Sequence, residues 1–243
     1  MLNSKQYRQV WPEWHICCFT FGIQKRINML TRIIMATFAV STLFITSCVK
    51  KEYYTVEPPN EPQPPAYNYI FDDGFNNNVN NWAFSDPGNA AYVTIGNSWL
   101  KYTYMPPNDG TNTVAINTGA KLHRNFLVQT SIKSDYAMGL SFGVSNSDYG
   151  YSFFIDNEGY FAVFKEGSAN EGVQTIMDWQ ASDAIYPDGW NDIEFEQTGN
   201  YWAGYINGVK VFEIPAKYLD GQKIGYIVLA GTTGYADYLT VQW

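Results

Sequence analysis

Cysteine and histidine are almost missing from the larger part of this 243-residue chain. The three cysteines, Cys17, Cys18 and Cys48, all precede residue 66, and His123 is the single histidine from there to the end. Residues 66–243 therefore hold no disulfide framework and no cysteine-based metal site. A serine–histidine–aspartate triad would have to use His123, and because nothing nearby marks it as a base we expect an ordinary surface residue.

Basic residues are scarce as well. Residues 66–243 carry 19 acidic side chains against seven lysines and one arginine, which gives a net charge of −11. The first 65 residues carry a net charge of +3. Because an acidic domain with one arginine is poorly matched to a phosphate backbone, nucleic acid is excluded as a partner.

Apolar runs are short, and the clearest one lies near the start. Ile33–Phe44 has the length of a signal-peptide core, follows Arg32, and falls below the about 20 residues that span a bilayer comfortably. It ends in "ITSC", which resembles the lipobox of bacterial lipoproteins, where the cysteine is lipidated and becomes the mature N-terminus. We therefore predict a signal peptide over 29–47 and lipidation of Cys48, with a transmembrane anchor as the alternative.

The residues on either side of this segment complete the front end of the chain. Residues 1–28 fit no export signal and are interpreted as an upstream extension, with translation beginning at Met29. Residues 48–65 form a proline-rich tether, which at about 3.1 Å per residue could hold a domain about 50 Å from a membrane. The predicted location is the cell envelope, in the outer membrane, with the periplasmic or surface face left open.

No apolar helical stripe appears from residue 66 onward. Short β-rich runs separated by Gly, Asn and Asp take its place, and Asn207-Gly208 is a strong hairpin signal because both turn residues need positive φ. Further hairpins are predicted at 156–159 and 198–200. The runs are AYVTIG, WLKYTYM, FLVQTSIKS, GLSFGVS, GYSFFI, GYFAVFK, VQTIMDW, DIEFEQT, YWAGYI, VKVFEI, IGYIVLA and DYLTVQW. They predict an all-β domain over 66–243, a two-sheet jelly-roll sandwich.

Alternation along the strands assigns their faces. In "DIEFE" the apolar Ile193 and Phe195 belong to the core, so the acids between them face outward. In the next run Trp202 and Ile206 are core residues, which leaves the tyrosines of that run on the outward face. The outward acids are Asp192, Glu194 and Glu196, and the outward tyrosines are Tyr201 and Tyr205.

The chain from 66 to 243 resembles the concanavalin A-like lectin and glucanase jelly rolls. The resemblance rests on the hairpin series "GYSFFIDNEGYFAVFK … GWNDIEFEQTGNYWAGYINGVKVFEI … ADYLTVQW" and on the opening "IFDDGFNNNVNNWAF". More narrowly, the chain is similar to the laminin-G-like and family-16-glucanase-like domains of exported bacterial proteins. The resemblance implies the fold and a glycan as the class of ligand.

The family's glucanases carry an E-x-D-x-E or E-x-D-x-x-E row in an earlier strand. This chain has the order D-x-E-x-E, with Asp192 where the nucleophilic glutamate should be and Glu194 in the aspartate position. Aspartate is one methylene shorter, which misplaces the attacking oxygen. We therefore interpret the row Asp192, Glu194 and Glu196 as an exposed strand face, and keep glycoside hydrolysis as an alternative.

Aromatic platforms beside Asp, Asn and Gln are the usual means of binding sugars. This domain is rich in both, although tyrosine and tryptophan also serve as strand formers and packing residues. The candidate ligand-binding residues are Tyr102, Tyr104, Asp148, Tyr149, Tyr151, Trp179, Tyr201 and Tyr205.

Many jelly rolls of the resembled kind hold a structural Ca²⁺ between the first and last strands. The resemblance implies such a site here, with Asp72, Asp73 and Asp237 supplying carboxylate oxygens, although aspartates also serve turns and strand ends. No other cofactor is expected.

The sequence predicts an exported, lipid-anchored protein whose jelly roll binds a polysaccharide or glycan without cleaving it. Two alternatives stay open: a glycoside hydrolase of glucanase type, and a structural or adhesion lipoprotein that binds another protein. The identity of the glycan is left open.

Overall fold

The computed structural model describes residues 66–88, 90–167 and 171–243. The predicted upstream extension, signal peptide, tether and lipidation site, residues 1–65, lie outside the described residues. Within the described ranges no helix is long and apolar enough to cross a membrane.

Fifteen strands, numbered in chain order, make up the regular structure of the described residues. They are β1 (Ile70–Asp73), β2 (Phe84–Ser85), β3 (Ala91–Gly96), β4 (Trp99–Tyr104), β5 (Thr111–Asn117), β6 (Phe126–Ser134), β7 (Ala137–Val144), β8 (Tyr151–Asp156), β9 (Tyr160–Lys165), β10 (Gln174–Ala181), β11 (Asn191–Thr198), β12 (Tyr201–Ile206), β13 (Val209–Pro215), β14 (Lys223–Leu229) and β15 (Thr232–Gln242).

The strands form two antiparallel sheets. Sheet A has nine strands in the order β13-β12-β11-β6-β15-β4-β3-β2, with β1 paired to β15. Sheet B has six strands in the order β10-β9-β8-β7-β14-β5. The all-β, two-sheet sandwich of jelly-roll type that the sequence predicts is therefore confirmed.

Strand β15 organises sheet A because it is long enough to serve two neighbours on one side. Thr232–Ala236 pairs with β4, and Leu239–Gln242 pairs with β1. Its other side pairs with β6, and the register shifts between Ala236 and Leu239. The first and last strands of the domain are thus joined at the middle of the sheet.

The core lies between the two sheets and is rich in aromatic rings. Phe142 of sheet B stacks on Phe195 of sheet A with ring centroids 3.9 Å apart. Trp202 meets Phe142 edge-on at 5.3 Å, and its Nε1 donates to Gln197 Oε1 at 2.8 Å. A buried indole N–H needs such a partner, and here the neighbouring strand provides it.

The turns follow the signals in the sequence. Asn207 and Gly208 have φ values of 51° and 78°, as the turn between β12 and β13 requires. Gly159 and Gly199 also have positive φ, at 91° and 59°, in the turns after β8 and β11. All three predicted hairpins are present.

Candidate ligand-binding sites

The acidic row of β11 lies on the outer face of sheet A. Ile193 and Phe195 are buried in the core, whereas the side chains of Asp192, Glu194 and Glu196 point away from it. The faces assigned from the alternation are therefore confirmed.

Glu194 belongs to a polar row that crosses five strands. Glu194 pairs in register with Tyr205 of β12 on one side and with Gln129 of β6 on the other. On the far side of β6, Gln129 pairs with Thr240 of β15, which in turn pairs with Asp72 of β1. Gln129 Nε2 donates to Glu194 Oε2 at 2.8 Å, and Thr240 Oγ1 donates to Asp72 Oδ1 at 3.3 Å. These bonds order the side chains without a ligand.

Two tyrosines on this face are placed among the carboxylates. The Tyr205 hydroxyl donates to Glu196 Oε1 at 3.2 Å, and burial followed by the charge of Glu196 raises the pKa of Tyr205. Burial, with Glu196 and Glu194, raises the pKa of Tyr67 to about 12. Tyr201 shares the outward face but is 55% exposed, at the start of β12.

A cavity of about 400 Å³ opens beside the polar row. Burial, and then the charge of Asp192, raises the pKa of Tyr238, which lies on its wall. Its lining residues are Gln129, Asp192, Ile193, Glu194, Tyr205, Gly208 and Tyr238. The recess is polar and acidic, with two phenol rings.

Three tyrosines expected to contact a ligand are instead packing residues. Tyr102 and Tyr151 are buried in the core, and Tyr104 packs against it. The hydroxyl of Tyr102 donates to Asn112 Oδ1 at 2.5 Å, and that of Tyr151 donates to the Tyr218 carbonyl at 3.1 Å. The expectation for Tyr102 and Tyr151 is therefore corrected, because an internal partner lets each phenol face inward.

Asp148 and Tyr149 lie in the loop between β7 and β8 and line a separate cavity of about 300 Å³. Glu166, just after β9, and Thr111, the first residue of β5, line it as well. Asp148 Oδ1 lies 3.5 Å from the Lys223 Nζ, so its charge already has a partner. This recess is polar, with one phenol ring.

Trp179 lies on the outer face of sheet B and lines a cavity of about 310 Å³ with two other aromatic side chains. These are Tyr136 and Tyr160, which are 44% and 40% exposed. The Trp179 ring is held by Phe154 and Phe164, whose centroids lie 6.2 Å and 5.9 Å away.

The rest of this cavity supplies an apolar floor and two carboxylates. Ala137 and Leu229 form the floor, and Asp156 and Glu158 stand at the rim. Asp156 Oδ1 accepts the backbone N–H groups of Glu158 and Tyr160 at 3.0 Å and 2.8 Å, which fixes the turn between β8 and β9. The Glu158 side chain is exposed and directed by that turn.

The sequence singles out Trp179 as a candidate but gives no prediction for Tyr136 and Tyr160, which line the same cavity. Both tyrosines border the same hairpin end, because the Asn157 N–H donates to the Tyr136 carbonyl at 2.8 Å. An aromatic residue directly beside turn residues, as in "SDYA" and "NEGY", is the signal that could have found them.

The three aspartates expected to bind Ca²⁺ differ in burial and in hydrogen bonding. Asp73 is buried and accepts hydrogen bonds from Phe75 N, Asn80 Nδ2 and Trp82 Nε1. Asp72 and Asp237 are exposed. Among the residues that the structure describes, no three acidic, histidine or cysteine side chains group closely enough to hold a metal ion, so the expected ligand set is not assembled.

Comparisons with known proteins found similarity at the level of solved structures. No family model matches the chain, and no curated protein matches it. The carbohydrate-binding module CBM66 from Bacillus subtilis is 14% identical, with 66% of this chain and 91% of that chain covered and a TM-score of 0.44. The Caenorhabditis elegans galectin LEC-6 is 15% identical, with 56% and 92% covered and a TM-score of 0.39.

A third similar structure is the CBM2 module of the evolved Dit of Lactobacillus casei BL23 phage J-1. It is 12% identical, with 71% of this chain and 94% of that chain covered and a TM-score of 0.45. At such identities no residue's role is carried over, so roles in this chain are inferred from its own geometry.

Proposed function

We propose that this domain binds a carbohydrate, without cleaving it, in the cavity lined by Tyr136, Tyr160 and Trp179. The observation that carries the proposal is the convergence of three partly exposed aromatic rings and two carboxylates on one recess. We place the domain among the concanavalin A-like jelly rolls as part of the same proposal.

The chemistry of the recess matches the two surfaces of a sugar. Aromatic rings cover the C–H face of a pyranose, and carboxylate oxygens accept its hydroxyl protons. Because Phe154 and Phe164 fix the Trp179 ring, little conformational entropy is lost when a sugar stacks on it. The cavity volume of about 310 Å³ lies at the lower end of the range for ligand pockets.

A binding role without cleavage agrees with the position of the acidic row. Asp192, Glu194 and Glu196 lie on sheet A, whereas the aromatic cavity belongs to sheet B. Glu194 and Glu196 also accept hydrogen bonds from Gln129 and Tyr205. A sugar held at Trp179 therefore meets none of these three acids.

Replacement of Trp179 by alanine tests the proposal. A glycan array first identifies a ligand, and calorimetry then compares variants with the wild type. Trp179→Ala should weaken binding at least about fivefold, since a ring stacked on an aromatic is worth about 1 kcal/mol or more. Glu158→Gln should weaken it less, because a neutral amide still accepts a hydrogen bond.

Trp99→Ala is the matched control. Trp99 is another tryptophan at the surface, 39% exposed, but it lies on sheet A and contacts Tyr235. The Trp99→Ala variant should bind the glycan with unchanged affinity. Neither the wild type nor any variant should release reducing sugar from it. A blank array, or equal affinities for Trp179→Ala and the wild type, would contradict the proposal and favour a protein partner.

We propose further that the protein is exported and held in the outer membrane by lipid on Cys48. The supporting observations are the apolar run that precedes "ITSC" and the proline-rich segment that follows it. The tether would hold the glycan-binding domain clear of the lipid surface.

A further inference from the structure

A cavity of about 460 Å³ lies where the first and last described residues of the domain meet. The Trp243 carbonyl accepts the N–H groups of Asn68 and Tyr69 at 3.0 Å and 3.1 Å, and its own N–H donates to the Tyr69 carbonyl at 3.2 Å. The lining residues are Ala66, Tyr67, Asn68, Tyr69, Lys121, Arg124, Asn125 and Trp243. It is separate from the aromatic cavity of sheet B.

Two positive charges lie on this cavity. The Arg124 N–H donates to the Lys121 carbonyl at 3.1 Å, and this turn places both side chains at the same recess. The ion pairs within the described residues use Lys165, Lys210 and Lys223. Neither Lys121 nor Arg124 takes part in them, so both cations are free to meet a ligand.

The charged side chains that line this cavity, Lys121 and Arg124, are opposite in sign to the domain. Two acids, Glu194 and Glu196, act on Tyr67 at the edge of the cavity without lining it. Residues 66–243 carry 19 acidic side chains and a single arginine, and that arginine is Arg124. Exposed lysines scattered over such a surface would be unremarkable, but here an arginine and a lysine share one recess. Arginine offers a planar fork of donors that matches a carboxylate or phosphate.

An aromatic wall completes the recess. The rings of Tyr69 and Trp243 stack with centroids 5.7 Å apart and an interplanar angle of 17°. Tyr69 is 65% exposed, so the pair presents flat apolar surface to the solvent. A stacked, backbone-anchored pair is a rigid platform for the C–H face of a sugar ring.

We propose that this cavity binds an anionic sugar, with the ring on Tyr69 and Trp243 and the carboxylate or phosphate held by Arg124 and Lys121. This second site does not depend on the first. The Trp179 cavity has acceptor carboxylates at its rim and suits a neutral glycan, whereas this one supplies donors and positive charge. The domain would then hold two chemically different sugars at once.

Calorimetry at low salt on the full chain tests the proposal with three probes. These are an oligogalacturonate, a hexose 6-phosphate and a neutral oligogalactose. Binding of either anion supports the proposal, and the tighter of the two identifies the source of the negative charge. Added salt should weaken binding of the anions, because exposed charges are screened over about 10 Å at 0.1 M ionic strength.

Arg124→Gln should weaken anion binding at least about tenfold, and Tyr69→Ala should weaken it several-fold. Lys133→Gln is the control, because it removes the same charge from β6 without touching the cavity. Equal losses in Arg124→Gln and Lys133→Gln, absence of anion binding, or an equal loss of neutral-probe binding in Arg124→Gln would overturn the proposal. The neutral-glycan site is reported by Trp179→Ala and this site by Arg124→Gln, so the two proposals can fail independently.

Discussion

Asp73 and Asp72 are adjacent carboxylates with different surroundings. The Asp73 side chain is buried and accepts three hydrogen bonds at 2.7–2.9 Å, including one from the indole of Trp82. Asp72 is exposed and accepts one bond from Thr240 at 3.3 Å. The segment after β1 is therefore folded around Asp73 and independent of Asp72.

Asp73→Ala should lower the free energy of unfolding by about 3 kcal/mol, because it leaves the buried N–H groups of Phe75 and Trp82 without acceptors. Asp72→Ala should change it by no more than about 0.5 kcal/mol. Urea titration followed by tryptophan fluorescence measures both. Equal effects of the two substitutions would contradict the prediction.

A separate measurement addresses the calcium site that the resemblance implies. A fall in the melting temperature on adding EDTA would support that site.

At the residue scale, alternation predicts which side chains share a face of a strand, but it does not always predict which of the two faces is exposed to solvent. Ile193 and Phe195 alternate with acids, so their inward orientation follows from the sequence. Tyr102 and Tyr104, both predicted to contact a ligand, share one face of β4, and that face is the inner one. Burial of Tyr102 depends on Asn112, which is ten residues away in the chain but belongs to the opposite sheet. Alternation within one strand carries no information about contacts between the two sheets.

Glu166 connects elements that are far apart in sheet B. It follows β9, while Thr111 belongs to β5, and β8, β7 and β14 lie between these strands. Thr111 Oγ1 nevertheless donates to Glu166 Oε2 at 3.1 Å. The other oxygen, Oε1, is buried without a partner within the described residues. Burial raises the pKa of Glu166, and the bond from Thr111 partly offsets this.

A raised pKa means that the folded protein holds the Glu166 proton at a pH where the unfolded chain has lost it. Stability should therefore fall as pH rises from the usual glutamate pKa of about 4.3 through the raised value. Glu166→Gln removes this loss, so the variant should be the more stable protein at about pH 7 and converge with the wild type at about pH 3. Urea titrations at several pH values measure the difference.

Glu158→Gln is the matched control for this titration, because Glu158 is exposed. A pH-dependent gain in stability that appears in Glu166→Gln and not in Glu158→Gln would assign the effect to the buried carboxyl. A wild type that is more stable than Glu166→Gln at about pH 7 would show that the carboxylate is stabilised by a charge rather than penalised by burial.

At the element scale, the twelve β-rich runs all correspond to strands, and three strands were missed. Those are β1, β2 and β5. The seven residues of β5, "TNTVAIN", are part-buried or exposed throughout, because the strand forms the edge of sheet B. A polar edge strand lacks the alternation of apolar and polar residues by which a core strand is predicted from sequence. β2 has two residues and is defined only by its partner β3.

At the scale of the whole molecule, charge is divided between regions. The domain is strongly acidic, the first 65 residues are positive, and within the domain the free cations Lys121 and Arg124 meet at one cavity. The fold follows from turns and alternation, whereas the two proposed sites bring together residues distant in sequence, such as Tyr136 with Trp179 and Tyr69 with Arg124. Composition alone could indicate sugar binding but could not group these residues.

The proposed attachment to the membrane also concerns the whole molecule, and substitution of Cys48 tests it. If lipid on this cysteine anchors the protein, Cys48→Ser should move it from the membrane fraction to the soluble fraction, because each buried lipid CH₂ contributes about 0.8 kcal/mol. Cys17→Ser and Cys18→Ser are matched controls, since both lie upstream of the predicted signal peptide and should leave the protein in the membrane. Retention of Cys48→Ser in the membrane fraction would instead assign anchoring to the apolar run Ile33–Phe44 itself.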